Sequence, residues 1–254
     1  MTKPKPTIRP FRTVAGIFDV HVPEHDPRAV DAFLAWAKHE QPDEIVIGGD
    51  FLELGSVSSH GGDPDPPHLV DELRPARELL RKIKSTCPDA KLVYLEGNHE
   101  TRLTRWINDK APGLAGALTL PVALGLEEMG IRWVPYGKTH KAGKLHFVHG
   151  FWCNDLHAKK HLLEYGSSVT YGHTHRPQIF TKGLVDGTVH GAFGMPCMRL
   201  LDAPYLNHKP SGWMQGFGIY YVMPSGHFTP HMVLINRGSF VYGGRQYGKI
   251  QKAA

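Results

Sequence analysis

The stretch at residues 92–100, LVYLEGNHE, joins an apolar run to a cluster of polar groups. Its first half predicts a buried strand over residues 91–96. Gly97 then favours a tight turn, after which Asn98 and His99 supply an amide oxygen and an imidazole nitrogen. Both atoms can ligate a metal ion, although a strand followed by a plain polar turn would read the same way. The other strand ends distinguish these two interpretations.

Strand and helix patterns alternate on both sides of this stretch, which predicts an α/β fold with parallel crossover units. The predicted strands cover residues 13–18, 44–47, 91–96, 131–135, 144–148 and 168–171, and the predicted helices cover 27–38, 69–83, 100–108 and 155–165. Pro75 either starts or kinks its helix, and residues 111–130 are expected to be helical in part, broken at Pro112 and Pro121. Short runs at 218–222 and 228–235 predict a second, more antiparallel sheet.

Length and charge set the broad class of the protein. The chain has 254 residues, 17 histidines and a formal net charge of +5. We expect one domain over residues 1–254, with a basic arm at 1–11, a lid or disordered loop at 51–67 and a basic tail at 236–254. The basic balance favours anionic partners such as DNA, nucleotides or other phosphate esters, although two solvated tails would give the same balance.

Cysteine usage and hydropathy bear on the compartment. Cys87, Cys153 and Cys197 are widely spaced and form no CxxC motif, so we expect no disulfide framework and a cytoplasmic protein. The first ten residues lack the apolar core of a signal peptide. No run of 18 apolar residues occurs, so no membrane span is expected. The sequence does not indicate an oligomeric state.

Metal-capable side chains follow five of the predicted strands. They are Asp19 and His21, Asp50, Asn98 and His99, His149, and His173 with His175. Ligands at the carboxyl ends of strands in an α/β sheet converge on one crevice, so we expect these groups to meet. Even with His99 set aside, two carboxylates, four imidazoles and one amide are too many ligands for one tetrahedral zinc. They suit two divalent ions, such as Mn, Fe, Zn, Co or Ni.

As an ordered set, these blocks resemble a known family. Asp19-Val20-His21, Gly49-Asp50, Gly97-Asn98-His99-Glu100, His149-Gly150 and Gly172-His173-Thr174-His175 are similar to the five signature blocks of the calcineurin-like metallophosphoesterase superfamily. The size of the chain and its GNHExR run, residues 97–102, are similar to those of bacterial and phage members. The resemblance implies two packed mixed β-sheets flanked by α-helices, with a dinuclear metal centre at the sheet edge.

The resemblance also implies a role for each residue. It assigns the first metal to Asp19, His21 and His175, the bridging position to Asp50, and the second metal to Asn98, His149 and His173. Manganese is the first choice of metal. His99 is expected beside the phosphate, where it protonates the leaving group. From its own position, three residues after His99, Arg102 is expected either to clamp a phosphate oxygen or to pair with a nearby acid on the surface.

The predicted activity is hydrolysis of phosphodiesters, in DNA or nucleotides, through in-line attack of a metal-bound hydroxide. A phosphomonoesterase acting on a phosphoprotein or small metabolite is the alternative, and a non-catalytic binding module is a third possibility. Aromatic residues of the C-terminal third, such as Trp213, Phe217, Tyr220 and Tyr247, could stack on bases, but their alternation also fits a core. His25 and His60 fit either solvated loops or substrate contacts.

Overall fold

A computed structural model of the protein describes residues 10–59, 67–203, 206 and 209–249. Most of the predicted basic arm, residues 60–66 of the predicted lid loop with His60, and the end of the predicted tail lie outside these residues. Within the described ranges, no helix combines the length and the apolar character needed to cross a membrane.

Strands and helices follow one another in nearly the predicted order. The strands are β1 (Arg12–Ile17), β2 (Glu44–Ile47), β3 (Lys91–Leu95), β4 (Ile131–Val134), β5 (His140–Ala142), β6 (Leu145–Phe147), β7 (Val169–Tyr171), β8 (Gln178–Gly183), β9 (Val189–Gly194), β10 (Gln215–Val222), β11 (Phe228–Ile235), β12 (Ser239–Tyr242) and β13 (Arg245–Gly248). The helices are α1 (Pro27–Glu40), α2 (Leu69–Thr86), α3 (Thr101–Lys110), α4 (Leu120–Leu124) and α5 (His157–Tyr165).

Two mixed sheets form the centre of the protein. The first has the strand order β11-β10-β1-β2-β3-β4, and β1 to β4 are parallel, as the crossover pattern predicts. The second has the order β5-β6-β7-β9-β8. The strands β12 and β13 form a separate hairpin against α1. The predicted fold class, α/β with two mixed sheets and flanking helices, is confirmed.

The composition of the second sheet differs from the prediction. The runs at 218–222 and 228–235 do not belong to it, because β10 pairs antiparallel with β1 and β11 pairs with β10 in the first sheet. The second sheet instead contains β5, β8 and β9, which were not individually predicted. A strand buried on both faces carries no local signal that names its neighbour, so the period of two could not assign β10 to a sheet.

Side-chain alternation along the strands divides the interior into layers. In β3, Leu92 and Tyr94 face a core shared with the helices, whereas Val93 and Leu95 face the second sheet. Phe147 and Phe193 of the second sheet lie with Val93 and Leu95 in the layer between the two sheets. The other face of the second sheet packs on α5. The resulting order is helices, first sheet, second sheet and α5. The carboxyl ends of parallel strands from both sheets meet at one edge, where the Gly48 carbonyl after β2 lies 3.1 Å from His149 Nδ1 after β6.

The aromatic residues of the C-terminal third belong mainly to this interior. Phe217, Tyr220 and Tyr247 are buried, which confirms the core alternative for these three. Trp213 is partly exposed and lies against His175, with ring centroids 4.4 Å apart.

Two prolines act differently from the prediction. Pro112 and Pro121 do not break helices, because each lies in the first turn of a short helical segment, Pro112–Leu114 and α4 respectively. The first turn has no intrahelical partner for a backbone N–H, so proline is well tolerated there. Pro75 lies inside α2, which continues to Thr86.

Asp26 joins α1 to the first sheet. Its side chain caps α1 by accepting from the Arg28 backbone N–H at 2.9 Å, and it also accepts from the Arg28 guanidinium and from Gln215 Nε2 of β10. Burial alone would raise the pKa of Asp26, but these hydrogen bonds lower it to about 2, against an ordinary value of 3.8. The charged form therefore stabilises the fold above pH 4, and that stabilisation is lost as the pH falls towards 2.

We predict that Asp26→Asn, which keeps a capping oxygen but removes the charge, lowers the free energy of unfolding by about 0.5–2 kcal/mol at pH 7. Urea titrations at several pH values should show that the deficit shrinks below pH 4. Asp31→Asn is the matched control on the same helix, because Asp31 is exposed and pairs only with exposed Lys82 in the contacts described. An Asp26 deficit that is constant from pH 7 to pH 3 would contradict the charge-based account.

Candidate metal centre

The predicted ligands come from both sheets. Asp19, Asp50 and Asn98 follow β1, β2 and β3 of the first sheet, and His149 and His173 follow β6 and β7 of the second. The crevice therefore lies between two sheets, not along a single one. Left-handed backbone conformations, with φ between 47° and 68°, occur at Asp19, His21, Asp50, His173 and His175. Such φ values are uncommon outside glycine and concentrate at functional sites.

The first group of ligands contains Asp19, His21 and His175, whose ligand atoms lie within 4.8 Å of one another. The two Nε2 atoms are 3.1 Å apart, and His175 Nε2 is 3.4 Å from Asp19 Oδ1. Two imidazoles that share a tetrahedral zinc at about 2.0–2.1 Å have their nitrogens about 3.3–3.4 Å apart. The side chains are therefore spaced as a shared cation requires.

His21 is fixed in the form that a metal ligand needs. Its Nδ1 donates to Glu53 Oε2 at 2.7 Å, which leaves the lone pair of Nε2 directed at His175. A carboxylate on the far nitrogen is the usual partner of a metal-bound histidine. Burial, followed by the charges of His99 and His175, lowers the pKa of His21 well below its ordinary value. The ring is therefore neutral near pH 7.

The second group contains Asp50, His149 and His173, again within 4.8 Å of one another. His149 Nδ1 donates to the Gly48 carbonyl at 3.1 Å. Its Nε2 then lies 2.9 Å from Asn98 Oδ1 and 3.2 Å from Asp50 Oδ2. A neutral His149 would direct a nitrogen lone pair at two oxygen lone pairs. Only a positive charge between these atoms, a proton or a metal ion, makes the arrangement favourable.

The electrostatics of the second group agree with this geometry. Burial alone would lower the pKa of His149, but the carboxylate of Asp50 raises it to about 9. Burial alone would also raise the pKa of Asp50, yet the charges of His149 and His99 hold it well below its usual range. Without a metal, a proton on His149 compensates the buried carboxylate. A divalent cation would take the place of that proton.

His99 lies beside both groups. Its Nε2 is 3.7 Å from Asp50 Oδ2, and its ring centroid is 4.6 Å from that of His21. Its Nδ1 donates to the Glu53 carbonyl at 2.8 Å, and its Nε2 accepts from the Arg102 guanidinium at 2.9 Å. Arg102 also donates to the Glu53 carbonyl at 2.7 Å and lies 3.6 Å from its carboxylate. Arg102 thus pairs with an acid, but it does so inside the crevice.

Two glycines allow the carboxylates to approach the backbone. A Cβ atom on Gly97 would lie 2.2 Å from Asp50 Oδ1, and one on Gly172 would lie 2.2 Å from Asp19 Oδ2. No side chain fits at either position. The glycines beside the ligands are therefore required by close contact with the two carboxylates.

Sequence reasoning missed Glu53, which connects the two sides of the site. Besides His21 and Arg102, its carboxylate lies 3.3 Å from Arg199. Arg199 is almost fully buried, also pairs with Glu24, and lies 5.3 Å from the Trp213 ring centroid. The position of Glu53, three residues after Asp50, was an available signal. Arg199 lies 24 residues beyond the last ligand and has no local signal.

Glu100 ends the GNHE block, and the resemblance to the family implies no role for it. It is fully buried, and its two oxygens accept from the backbone N–H groups of Asp50, Phe51, Leu52 and Gly97 and from the Tyr94 hydroxyl. Glu100 therefore fixes the loop that carries Asp50 to the loop that carries Asn98. Burial, followed by the charge of Asp50, raises its pKa.

Comparison with known proteins gives distant similarities over nearly the whole chain. No family model matches. The Gene 54 protein of Mycobacterium phage L5 is 25% identical over 252 residues, covering 92% of this chain and 98% of that protein. Vacuolar Protein Sorting 29 from Cryptosporidium parvum aligns over 95% of this chain and 97% of its own, with a TM-score of 0.47 and 13% identity. Yfce, a phosphoesterase from E. coli, aligns over 88% of this chain and 100% of its own, with a TM-score of 0.42 and 14% identity. These likenesses are too distant to assign an activity.

We predict that Glu100→Gln lowers metal affinity about 10- to 100-fold and stability by about 1–3 kcal/mol, because the amide NH₂ would face backbone donors. Metal content after dialysis and thermal unfolding measure the two effects. The matched control is Glu72→Gln, since Glu72 is a buried carboxylate that accepts from the Gly55 and Ser56 N–H groups of the same loop. It should lose stability but keep its metal. Equal metal content in all three proteins would refute the role given to Glu100.

Proposed function

We propose that this protein is a metal-dependent phosphoesterase of the calcineurin-like type, and that it hydrolyses phosphodiesters of nucleic acids or nucleotides. One observation carries the proposal. Two groups of mostly buried metal-capable side chains lie next to each other. The carboxylate of Asp50 faces His149 of the second group and also His99, whose ring lies against His21 of the first. A mononuclear structural site has no use for two sets of ligands, whereas two cations about 3.5–4 Å apart suit displacement at phosphorus.

The donor sets agree with two divalent cations. Asp19, His21 and His175 would hold the first, and Asn98, His149 and His173 would hold the second. Asp50 would be shared by both. Mixed nitrogen and oxygen ligands suit manganese, iron, zinc, cobalt or nickel, and manganese is the first metal to test. When bound, the cations supply Lewis acidity, which lowers the pKa of a water molecule and neutralises phosphate oxygens.

The chain's own residues would orient the ester and handle the proton. Glu53 holds His21 through Nδ1 and so keeps Nε2 directed into the crevice. The Glu53 carbonyl holds His99 in the same way, and Arg102 brings a positive charge to the same place. A phosphate oxygen could take over the Arg102 hydrogen bond from His99 Nε2, and His99 as an imidazolium would then carry on that nitrogen the proton that it donates. We assign His99 the role of proton donor to the leaving oxygen, and Arg102 that of a phosphate contact.

The preference for diesters rests on charge. The chain carries a net charge of +5, and the exposed or half-buried Arg105 and Arg176 lie next to the predicted ligands Asn98 and His175. A chain of phosphates gains from several such cations, whereas a small monoester contacts few of them. Phosphomonoesterase activity and metal binding without turnover are the competing outcomes of the assay below.

We predict that Mn²⁺-loaded protein hydrolyses bis-p-nitrophenyl phosphate with a higher kcat/KM than p-nitrophenyl phosphate, and that EDTA abolishes both activities. Release of nitrophenolate measures both reactions. A clear preference for the monoester would overturn the diester assignment. No hydrolysis of either ester by protein shown to hold two metal ions would leave the binding-module alternative.

We also predict that His99→Ala lowers kcat about 100-fold or more and leaves metal content unchanged. His21, Glu53 and His99 also lie within 4.8 Å of one another, so unchanged metal content would separate proton donation by His99 from metal ligation by it. His227→Ala is the matched control, since His227 is exposed on the turn between β10 and β11. Turnover is followed with bis-p-nitrophenyl phosphate and metal by elemental analysis. If the His99 variant turned over at the wild-type rate, the proton-donor role would be wrong.

A further inference from the structure

Three aromatic side chains form an exposed surface that the ligand set does not use. We name Tyr136, Phe151 and Trp152 the aromatic shelf. Tyr136 and Phe151 are 36% and 40% exposed, and their ring centroids are 5.5 Å apart at 65°. The ring centroids of Phe151 and Trp152 are 5.8 Å apart. Exposed large aromatics that contact one another present ring faces on which a flat ligand can stack.

The aromatic shelf borders the second group of metal ligands. Phe151 lies two residues after His149. The backbone N–H of Tyr136 donates at 2.9 Å to Glu96 Oε2, and Glu96 lies two residues before Asn98. Burial and then the charge of Asp50 raise the pKa of Tyr136, which agrees with a hydroxyl near the crevice. A group stacked on the shelf would therefore lie beside a phosphate bound at the predicted metal centre.

A buried network holds Phe151 and Trp152 in position. His161 stacks on Tyr171 with ring centroids 3.6 Å apart, and the edge of Trp152 contacts it at 4.8 Å. His161 Nδ1 donates to the His157 carbonyl, so its Nε2 is free to accept from the Phe151 backbone N–H at 3.2 Å. The backbone of Phe151 and the ring of Trp152 are thus held in place, and a ligand would lose little free energy in ordering them.

Two arginines lie near the residues of the shelf. Arg105 approaches the Asn98 carbonyl at 3.4 Å, and Arg176 donates to the Cys153 carbonyl at 2.8 Å, one residue beyond Trp152. Aromatic faces flanked by arginines are the combination that binds single-stranded nucleic acid, because bases stack on the rings and phosphates follow the charges. Duplex bases already stack on each other and offer only their edges.

We propose that Tyr136 and Phe151 stack an unpaired base of a single-stranded nucleic acid whose scissile phosphate lies at the predicted metal centre. This inference rests on the proposed phosphodiester hydrolysis and narrows its substrate class. A base that must leave its stack to reach the shelf favours single strands, loops and frayed ends over continuous duplex.

The test combines protein variants with an altered substrate. Binding of a labelled oligonucleotide is measured by fluorescence anisotropy in EDTA, so that turnover does not interfere, and cleavage is then measured with Mn²⁺. Deoxy and ribo strands, the matching duplex, and a single strand with one abasic position beside the scissile phosphate are compared. The variants are Phe151→Ala, Tyr136→Ala and the conservative Phe151→Trp. Leu163→Ala on α5 is the control, because Leu163 is 59% exposed and lies outside the shelf.

We expect Phe151→Ala to weaken binding of the intact single strand about 5- to 150-fold, the range found for one stacked base. The abasic strand should bind wild-type protein with a similar loss, and Phe151→Ala should add little to it. Phe151→Trp should retain binding, Leu163→Ala should match wild type, and the duplex should bind more weakly than the single strand.

Equal weakening of intact and abasic strands by Phe151→Ala, or no weakening at all, would overturn the stacking role. The two proposals fail separately. Hydrolysis of bis-p-nitrophenyl phosphate without any dependence on the base would retain the phosphoesterase and remove the shelf. Base-dependent binding in EDTA by protein that cleaves no ester once it is loaded with Mn²⁺ would retain the shelf as a nucleic-acid site and remove the proposed hydrolysis.

Discussion

Buried electron pairs that face one another impose the main constraint on this fold. Asp19 and Asp50 are almost completely buried, and the nitrogens of His149 and His175 are directed at them. Unpaired charges in such a place cost several kcal/mol, so positive charge must be supplied there. The rest of the structure keeps these groups close together despite that cost. Two features of the backbone allow this close approach. Five of the seven predicted ligands have left-handed backbone, and glycines occupy the positions where a Cβ would meet a carboxylate.

Two carboxylates that are not predicted ligands maintain the arrangement. Glu100 accepts backbone N–H groups from the loops after β2 and β3, so those two strand ends move as one unit. Glu53 holds His21 by its carboxylate and His99 by its carbonyl, which links the first group of ligands to the proposed proton donor. The same principle extends outward to the aromatic shelf, where His161 accepts the Phe151 N–H. In each case, a hydrogen bond from a neighbouring residue fixes the position of a residue at the candidate site.

The sequence was sufficient to predict some residues of the candidate site and not others. The metal-capable residues that the structure brings together could be named in advance, because each follows a predicted strand and belongs to a residue type that binds metals, as Asp50 and His149 do. Arg199 could not be found in this way, since it reaches Glu53 across 146 positions of chain. The aromatic shelf has the same origin, because Tyr136 and Phe151 come from different loops and meet only when the two sheets pack. The assignment of β10 to the second sheet was wrong for a related reason, because β10 pairs with β1 from the other end of the chain.

Local pattern was sufficient for the parallel strands β1 to β4, the main helices and the identity of the metal-capable groups. Each of these depends on the period of neighbouring side chains or on the chemistry of one residue type, and both are written in consecutive letters. The partner of each strand, the pairing of the sheets into one edge and the contacts of Glu53, Arg199 and Phe151 depend on burial between distant segments. Packing free energy is shared among many residues far apart in the chain, so no short stretch carries it.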